Sequence, residues 1–170
     1  MFIDNKRDNM NKKRDKDLGE KAAAIEYRVE RAQIIDLKPM LDLWSITPGL
    51  RGGASDEESK LKVFMERNPS TSLLLRTQDG LIGTVLGGFD GRRGYIYHLA
   101  VHPDYQGKGC GKVLLNQVIR ELKQLGALKI HLFAFNDNQA ALGFYHHQGW
   151  ELRQDIEVFS WDAGNTDNKK

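Results

Sequence analysis

The stretch VHPDYQGKGCGKVLL, residues 101–115, decides the reading of this chain. Gly107, Gly109 and Gly111 alternate with Lys108 and Cys110, and an apolar run follows at once. Val113, Leu114, Val118, Leu122 and Leu125 recur at helical spacing, and Gly126 supplies a stop. A helix N-terminus carries free backbone N–H groups and roughly half a positive charge. Glycines before it let a polyanion approach the main chain closely. Lys108 and Lys112 add charge, so a phosphate-bearing ligand is the leading physical reading. Two phosphate motifs fail by spacing. The nucleotide P-loop puts glycine where Gln106 stands and a hydroxyl where Val113 stands. The dinucleotide fingerprint, counted from Gly107, needs glycine where Lys112 stands.

Outward from that loop, YIYHLAV reads as a strand running directly into it. SLLLRT, the turn QDG and LIGTVLGGF form a hairpin before it, and DGRRG is a second tight turn. Further back, IEYRVERA alternates as a half-buried strand does. IIDLKPMLDLWSI has helical spacing, with Pro39 in a first turn. SDEESKLKVFMERN opens with Ser55 and Glu58 at capping-box spacing. Past Gly126, LKIHLFAF is apolar on both faces and is expected to be a central strand. NQAALGFYHHQ is a short helix capped by Asn138 or Asp137 and ended by Gly149, and WELRQDIEVFSW is expected to supply one or two closing strands. This order gives a mixed, partly parallel α/β sheet with about four helices on its faces.

Composition bounds the function. The chain has 170 residues, 40% hydrophobic and 28% charged, with a formal charge of only +2, an ordinary globular balance that argues against a nucleic-acid wrapper. One cysteine excludes an internal disulfide and a thiolate zinc cage. No apolar run approaches the ~20 residues of a membrane span. The first residues lack the apolar core of a signal peptide, so a cytoplasmic location is expected. Residues 1–22 are expected to be a disordered charged tail, 23–162 a single domain and 163–170 a loose polar tail.

The motif LAVHPDYQGKGCGKVLL resembles the acetyl-CoA signature of the GNAT N-acetyltransferases, Gln/Arg-x-x-Gly-x-Gly/Ala, with Gln106, Gly109 and Gly111 at its positions. Downstream, NQAALGFYHHQGW is similar to the family's Asn-x-x-Ala-x-x-x-Tyr segment, with Asn138, Ala141, Tyr145, Gly149 and Trp150 in place. The resemblance covers about Ile25 to Trp161, and GTVLGGFDGRRGYIYHLAV is similar to a bacterial subgroup. It implies a splayed central sheet and acetyl-CoA as cosubstrate. Gln106, Gly107, Lys108, Gly109, Cys110, Gly111 and Lys112 would cradle the CoA diphosphate. Leu99, Ala100 and Val101 would lend main-chain groups to the pantetheine arm, and Asn138 would contact CoA further along.

The implied chemistry is attack of a neutral amine on a thioester. A phenol titrates near 10 and a thiol near 8.5, so Tyr145 would arrive protonated and act as general acid toward the leaving thiolate. The base is less apparent. By strand alternation Tyr95, Tyr97, Leu99 and Val101 share one face and His98 lies opposite. The resemblance implies that this face is the substrate side, with Asp90 in the DGRRG turn able to reach the cleft as a base, and a water chain or an amine delivered already neutral as the alternatives. Trp44, Leu50 and Arg51 in the loop after the first helix, with Tyr95 and Tyr97, are the candidate acceptor-binding residues. Cys110 fills a variable motif position, and His146 and His147, adjacent on a helix, point apart; no metal is expected. The acceptor could be a small amine, a protein N-terminus or a lysine, and a homodimer is one admissible assembly. The missing base keeps open a non-catalytic acyl-CoA sensor, and the charged tail a weaker nucleic-acid reading.

Overall fold

The computed structural model describes residues 25–163; the tails expected at 1–22 and past 163 lie outside the described residues. Two compact units divide between Leu132 and Phe133, and each is taken on its own.

The first unit is built on a five-stranded sheet in the order β1-β2-β3-β4-β5. Its strands are β1 (Arg28–Arg31), β2 (Ser72–Thr77), β3 (Gly80–Phe89), β4 (Gly94–Val101) and β5 (Ile130–Leu132). Sequential neighbours from β1 to β4 pair antiparallel, and β5 lies parallel to β4. A parallel pair needs a crossover, here the long helix α3 (Cys110–Gln124). Two helices precede β2: α1 (Leu37–Ile46) and α2 (Glu58–Arg67).

Both faces of the sheet are covered, which is why β2 and β3 read as continuous apolar runs. On one face, Leu37, Met40 and Trp44 of α1 and Leu61 and Met65 of α2 form a core with Leu74, Leu86 and Ala100. On the other face α3 buries Leu114, Leu115, Val118 and Leu122. Gly87 lets that helix down onto the sheet. A Cβ there would stand 2.7 Å from Val118 Cγ2 and 3.1 Å from the Thr71 carbonyl oxygen. Gly88 faces the opposite way, toward Phe64 and Tyr97, so β3 alternates cleanly between the α1/α2 side and the α3 side.

Its partner does not. Leu86 pairs with Tyr97, yet Thr84 pairs with Ala100, so two steps along β3 face three along β4. This is a β-bulge, and His98 within it takes φ 47°, the one positive φ outside glycine among the described residues. The bulge overturns the simple alternation. Tyr95, Tyr97 and Ala100 share the α1/α2 side, while Val101 pairs with Gly83 on the α3 side.

Three further expectations need correction. LKIHLFAF yields only Ile130–Leu132, at the sheet edge instead of its centre; its ladder with β4 ends at Ile96 and Leu132. Phe133 and Phe135 beyond it are exposed. No closing strand forms over residues 151–162. There Arg153 closes a local bend by donating to both carboxylate oxygens of Asp155 at 2.6 Å, and Phe159 and Trp161 stay exposed. Ser55 does not cap α2. It falls in a 3-10 turn, Ala54–Asp56, held by the Gly53 N–H donating to Asp56 Oδ2 at 2.8 Å, and α2 starts after Glu57.

The second unit contains α4 (Gln139–His147), which Asn138 caps by accepting from the Ala141 N–H at 3.0 Å. Gly149, at φ 80°, ends it, and the Trp150 N–H returns to the Tyr145 carbonyl at 3.0 Å. Among the described residues no helix is long and apolar enough to cross a membrane.

Candidate active site

In the first unit the glycine turn is anchored at both ends. The His102 N–H donates to the Ile82 carbonyl at 2.8 Å as the chain leaves β4. The Gln106 side chain donates back to the Val101 carbonyl at 3.0 Å, closing the loop over the 3-10 turn Pro103–Tyr105. Gly107 at φ 70° and Gly109 at φ 85° then turn the main chain left-handed, a region other residues occupy at a cost. A Cβ on either would meet nothing within 4 Å, so the concave side is open. Gly109 is the N-cap of α3 and brings no side-chain cap. The first backbone bond of α3 runs from Val113 to the Gly109 carbonyl, which leaves the N–H groups of Cys110, Gly111 and Lys112 to an outside acceptor. Lys108 and Lys112 are exposed beside them, with Lys108 Nζ 5.5 Å from the Tyr105 ring centre. These features fit a diphosphate: uncapped donors, room for close approach and two cations.

Leu99, Ala100 and Val101 occupy the end of β4, on the side of the strand where pairing with β5 has already ceased. Ala100 is buried, and Leu99 and Val101 are half-buried.

A second polar group sits under the bulge. Trp44 is buried in the core, and its indole N–H donates to Thr84 Oγ1 at 2.8 Å. The Thr84 hydroxyl donates in turn to the His98 carbonyl at 3.3 Å. The Trp44 and His98 rings stack at 4.2 Å and 22°. His98 Nε2 lies 2.7 Å from Asp56 Oδ1, with side-chain exposures of 16% and 15%, so this pair is only partly open to water. His98 therefore stands on the Trp44 side of the sheet, where alternation placed it opposite. Asp56, read in the sequence only as part of a helix start, and Thr84 were missed. A bulge depends on strand partners and leaves no local signature; the nearest hint was a histidine inside an otherwise apolar strand.

Beside it, aromatic rings line the same side. Phe64 meets Tyr97 edge-on at 5.8 Å, Tyr97 and Tyr95 stack at 6.5 Å, and Tyr95 lies 5.9 Å from His131. Burial, with Tyr95 second, pushes the Tyr97 phenol up. Leu50 packs on the core, whereas Arg51 is exposed. Asp90 is exposed, and its Oδ1 accepts from the N–H groups of Arg93 at 2.6 Å and Arg92 at 2.8 Å. Those bonds hold its carboxyl below the ordinary value, which suits a turn-former better than a proton acceptor. Burial pushes the Cys110 thiol up despite its place at a helix start, so it is a poor nucleophile.

In the second unit Tyr145 packs between Phe144 at 5.2 Å and Trp150 at 6.0 Å. Burial pushes its phenol up to about 12. An unfolded tyrosine titrates near 10. Below that pH both states hold the proton and stability does not respond. Above it the unfolded chain ionises first, so stability falls as pH rises toward 12, by on the order of 2 kcal/mol in all. Urea unfolding of the wild type and of Tyr145→Phe across that range should show the wild type alone losing this increment.

Among the described residues no group of three or more His, Cys, Asp or Glu side chains could hold a metal.

Residues 37–150 match the model of the acetyltransferase (GNAT) family. An acetyltransferase of Pectobacterium atrosepticum is 32% identical over 127 residues, which covers 75% of this chain and 88% of the relative. Among solved structures, the PaiA N-acetyltransferase of Thermoplasma acidophilum, in complex with coenzyme A, is similar at TM-score 0.67 and 19% identity, over 75% of this chain and 91% of that one. Naa50 of Arabidopsis thaliana, in complex with the bisubstrate analogue CoA-Ac-MVNAL, reaches TM-score 0.63 and 21% identity over 75% and 84%. At such identities these two structures establish likeness of fold.

Proposed function

The chain belongs to the GNAT family of acetyltransferases and is an acyltransferase, and on that footing we propose that it moves the acetyl group of acetyl-CoA to a primary amine. The observation that carries this reading is the left-handed glycine turn feeding an uncapped helix. The main-chain N–H groups from Gly107 to Lys112 hold the diphosphate, with Lys108 and Lys112 balancing its charge. The main chain of Leu99, Ala100 and Val101 lines the pantetheine arm, and Asn138, whose side-chain oxygen caps α4, contacts CoA further along. When bound, acetyl-CoA supplies a thioester carbonyl open to attack by nitrogen.

Tyr145 manages the sulfur. Its phenol keeps its proton at any working pH, so it is always a donor. Complete transfer to a thiolate of ordinary basicity would be uphill by roughly 3.5 pKa units. The acceptor is a small amine, a protein N-terminus or a lysine, held along the aromatic rings of Tyr95 and Tyr97 beside Leu50 and Arg51. The CoA–peptide analogue bound by the Naa50 neighbour makes a peptide N-terminus a first compound to try. A cytoplasmic site of action supplies the acyl donor.

Acetyl-CoA incubated with the full chain and a panel of amines should release free thiol in step with acetylated amine, read by thiol titration and mass spectrometry. Tight CoA binding with no acetyl transfer to any amine, cell extract included, would contradict the reading.

A further inference from the structure

A nitrogen that attacks a carbonyl must shed a proton, and an acceptor for it needs a lone pair held in place. Asp90 is a weak candidate, with its carboxylate committed to the Arg92 and Arg93 N–H groups. The group under the β4 bulge has what is required. We propose that His98, oriented by Asp56, accepts the proton of the attacking amine. This rests on the acetyltransferase reading above and names a residue for it.

Four observations converge. First, Asp56 Oδ1 lies 2.7 Å from His98 Nε2. A carboxylate in that position selects the tautomer with hydrogen on Nε2 and places the lone pair on Nδ1. Among the described residues Nδ1 has no hydrogen-bond partner, and the side chain keeps 16% exposure, the opening that the proposal assigns to a substrate nitrogen or one intervening water. Second, the carboxylate is itself fixed, because Asp56 Oδ2 takes the Gly53 N–H at 2.8 Å. The pair joins a loop turn to a strand 42 positions away in sequence. Third, the ring is held from its face by Trp44 at 4.2 Å, and Trp44 is tied through Thr84 back to the His98 carbonyl. An imidazole stacked, bonded and tethered in this way loses little freedom when it acts. Fourth, His98 holds φ 47°, a strained value for a residue with a Cβ. Such strain persists where the surroundings over-determine it, and it concentrates at working sites. The bulge lies immediately before Leu99–Val101, where the proposed thioester arm runs.

The balance of the step is simple. The amine nitrogen forms a bond to the acetyl carbon, and the carbon–sulfur bond breaks with its electron pair on sulfur. One amine proton passes to His98 Nδ1 and then to water, and the thiolate is protonated separately. Nε2–H stays on the Asp56 carboxylate throughout and stabilises the imidazolium that forms. His98 touches the reacting nitrogen; Asp56 is a positioning residue.

The test uses the full chain with acetyl-CoA and whichever amine the wild type acetylates. His98→Gln keeps a donor for Asp56 without a basic lone pair on the ring, and should lower kcat by about 100-fold or more with CoA affinity unchanged. Asp56→Asn should lower kcat by roughly 10-fold or more through the wrong tautomer. In His98→Ala, added imidazoles should restore turnover, and more basic imidazoles should restore more, a dependence that a space-filling role would not produce. His98→Gln within about threefold of wild type would overturn the proposal, as would rescue indifferent to the basicity of the additive. A wild type that transfers no acetyl group at all would instead count against the acetyltransferase reading, so the two failures are distinguishable.

Discussion

Gly109→Val lowers the affinity for CoA by on the order of 100-fold or more while α3 remains helical. Gly109 sits at φ 85° as the N-cap of that helix, and a β-branched residue is a genuine outlier there. Space is not the obstacle, since a Cβ would meet nothing within 4 Å. The strain is torsional. Valine would relax by rotating the turn toward negative φ, and the N–H groups of Cys110, Gly111 and Lys112 would then no longer converge on one oxyanion. Each charge-assisted bond of this kind contributes roughly 1.5–3 kcal/mol, so losing two of them accounts for the expected factor. The helix survives because its first bond, Val113 to the Gly109 carbonyl, is main chain. Titration calorimetry with CoA reads the affinity and circular dichroism reads the helix. Gly109→Ala, less hindered at positive φ, should fall between. Wild-type affinity in the valine variant would show that the turn does not hold the ligand.

Tyr145→Phe slows thiol release by about 100-fold or more and leaves CoA affinity within a few-fold of wild type. The ring packs between Phe144 and Trp150, and phenylalanine keeps both contacts. Among the described residues the hydroxyl has no hydrogen-bond partner, so its removal orphans no buried group there and should scarcely change stability at neutral pH. What is lost is a donor that never ionises at working pH. The need for that donor grows with the basicity of the leaving sulfur. An acyl donor with a more acidic thiol should therefore narrow the gap between the two enzymes. Full activity in the phenylalanine variant on acetyl-CoA itself would remove Tyr145 from the acid role.

The parts of this molecule that were legible in its sequence are those whose cause is local. The glycines of residues 107–111 and the stripe from Val113 to Leu122 announce a turn and an amphipathic helix on their own. The helix beginning after Asn138 carries its cap and its Gly149 stop within a few residues. The parts that were not legible depend on pairing. An extra residue in β4 between Tyr97 and Ala100 is defined only against Thr84 and Leu86 of β3, and it moves His98 from the wrong side of the sheet to a stack with Trp44. Asp56 meets His98 only after α2 and three strands have folded. The apolar run LKIHLFAF looked central by composition, yet a strand is central only if it has neighbours on both sides, and residues 151–162 form no strand to provide one. Ser55 had the spacing of a cap, but the Asp56 carboxylate, bonded to Gly53 and His98, draws the chain into a tighter turn there.

The most direct test of the central claim follows the main-chain amides of the nitrogen-15-labelled full chain during titration with CoA. The account predicts the largest shifts at Gly107, Lys108, Gly109, Cys110, Gly111 and Lys112, with the shifts at those positions lost in Gly109→Val. Saturable binding that leaves those six amides unmoved and shifts resonances elsewhere would contradict it.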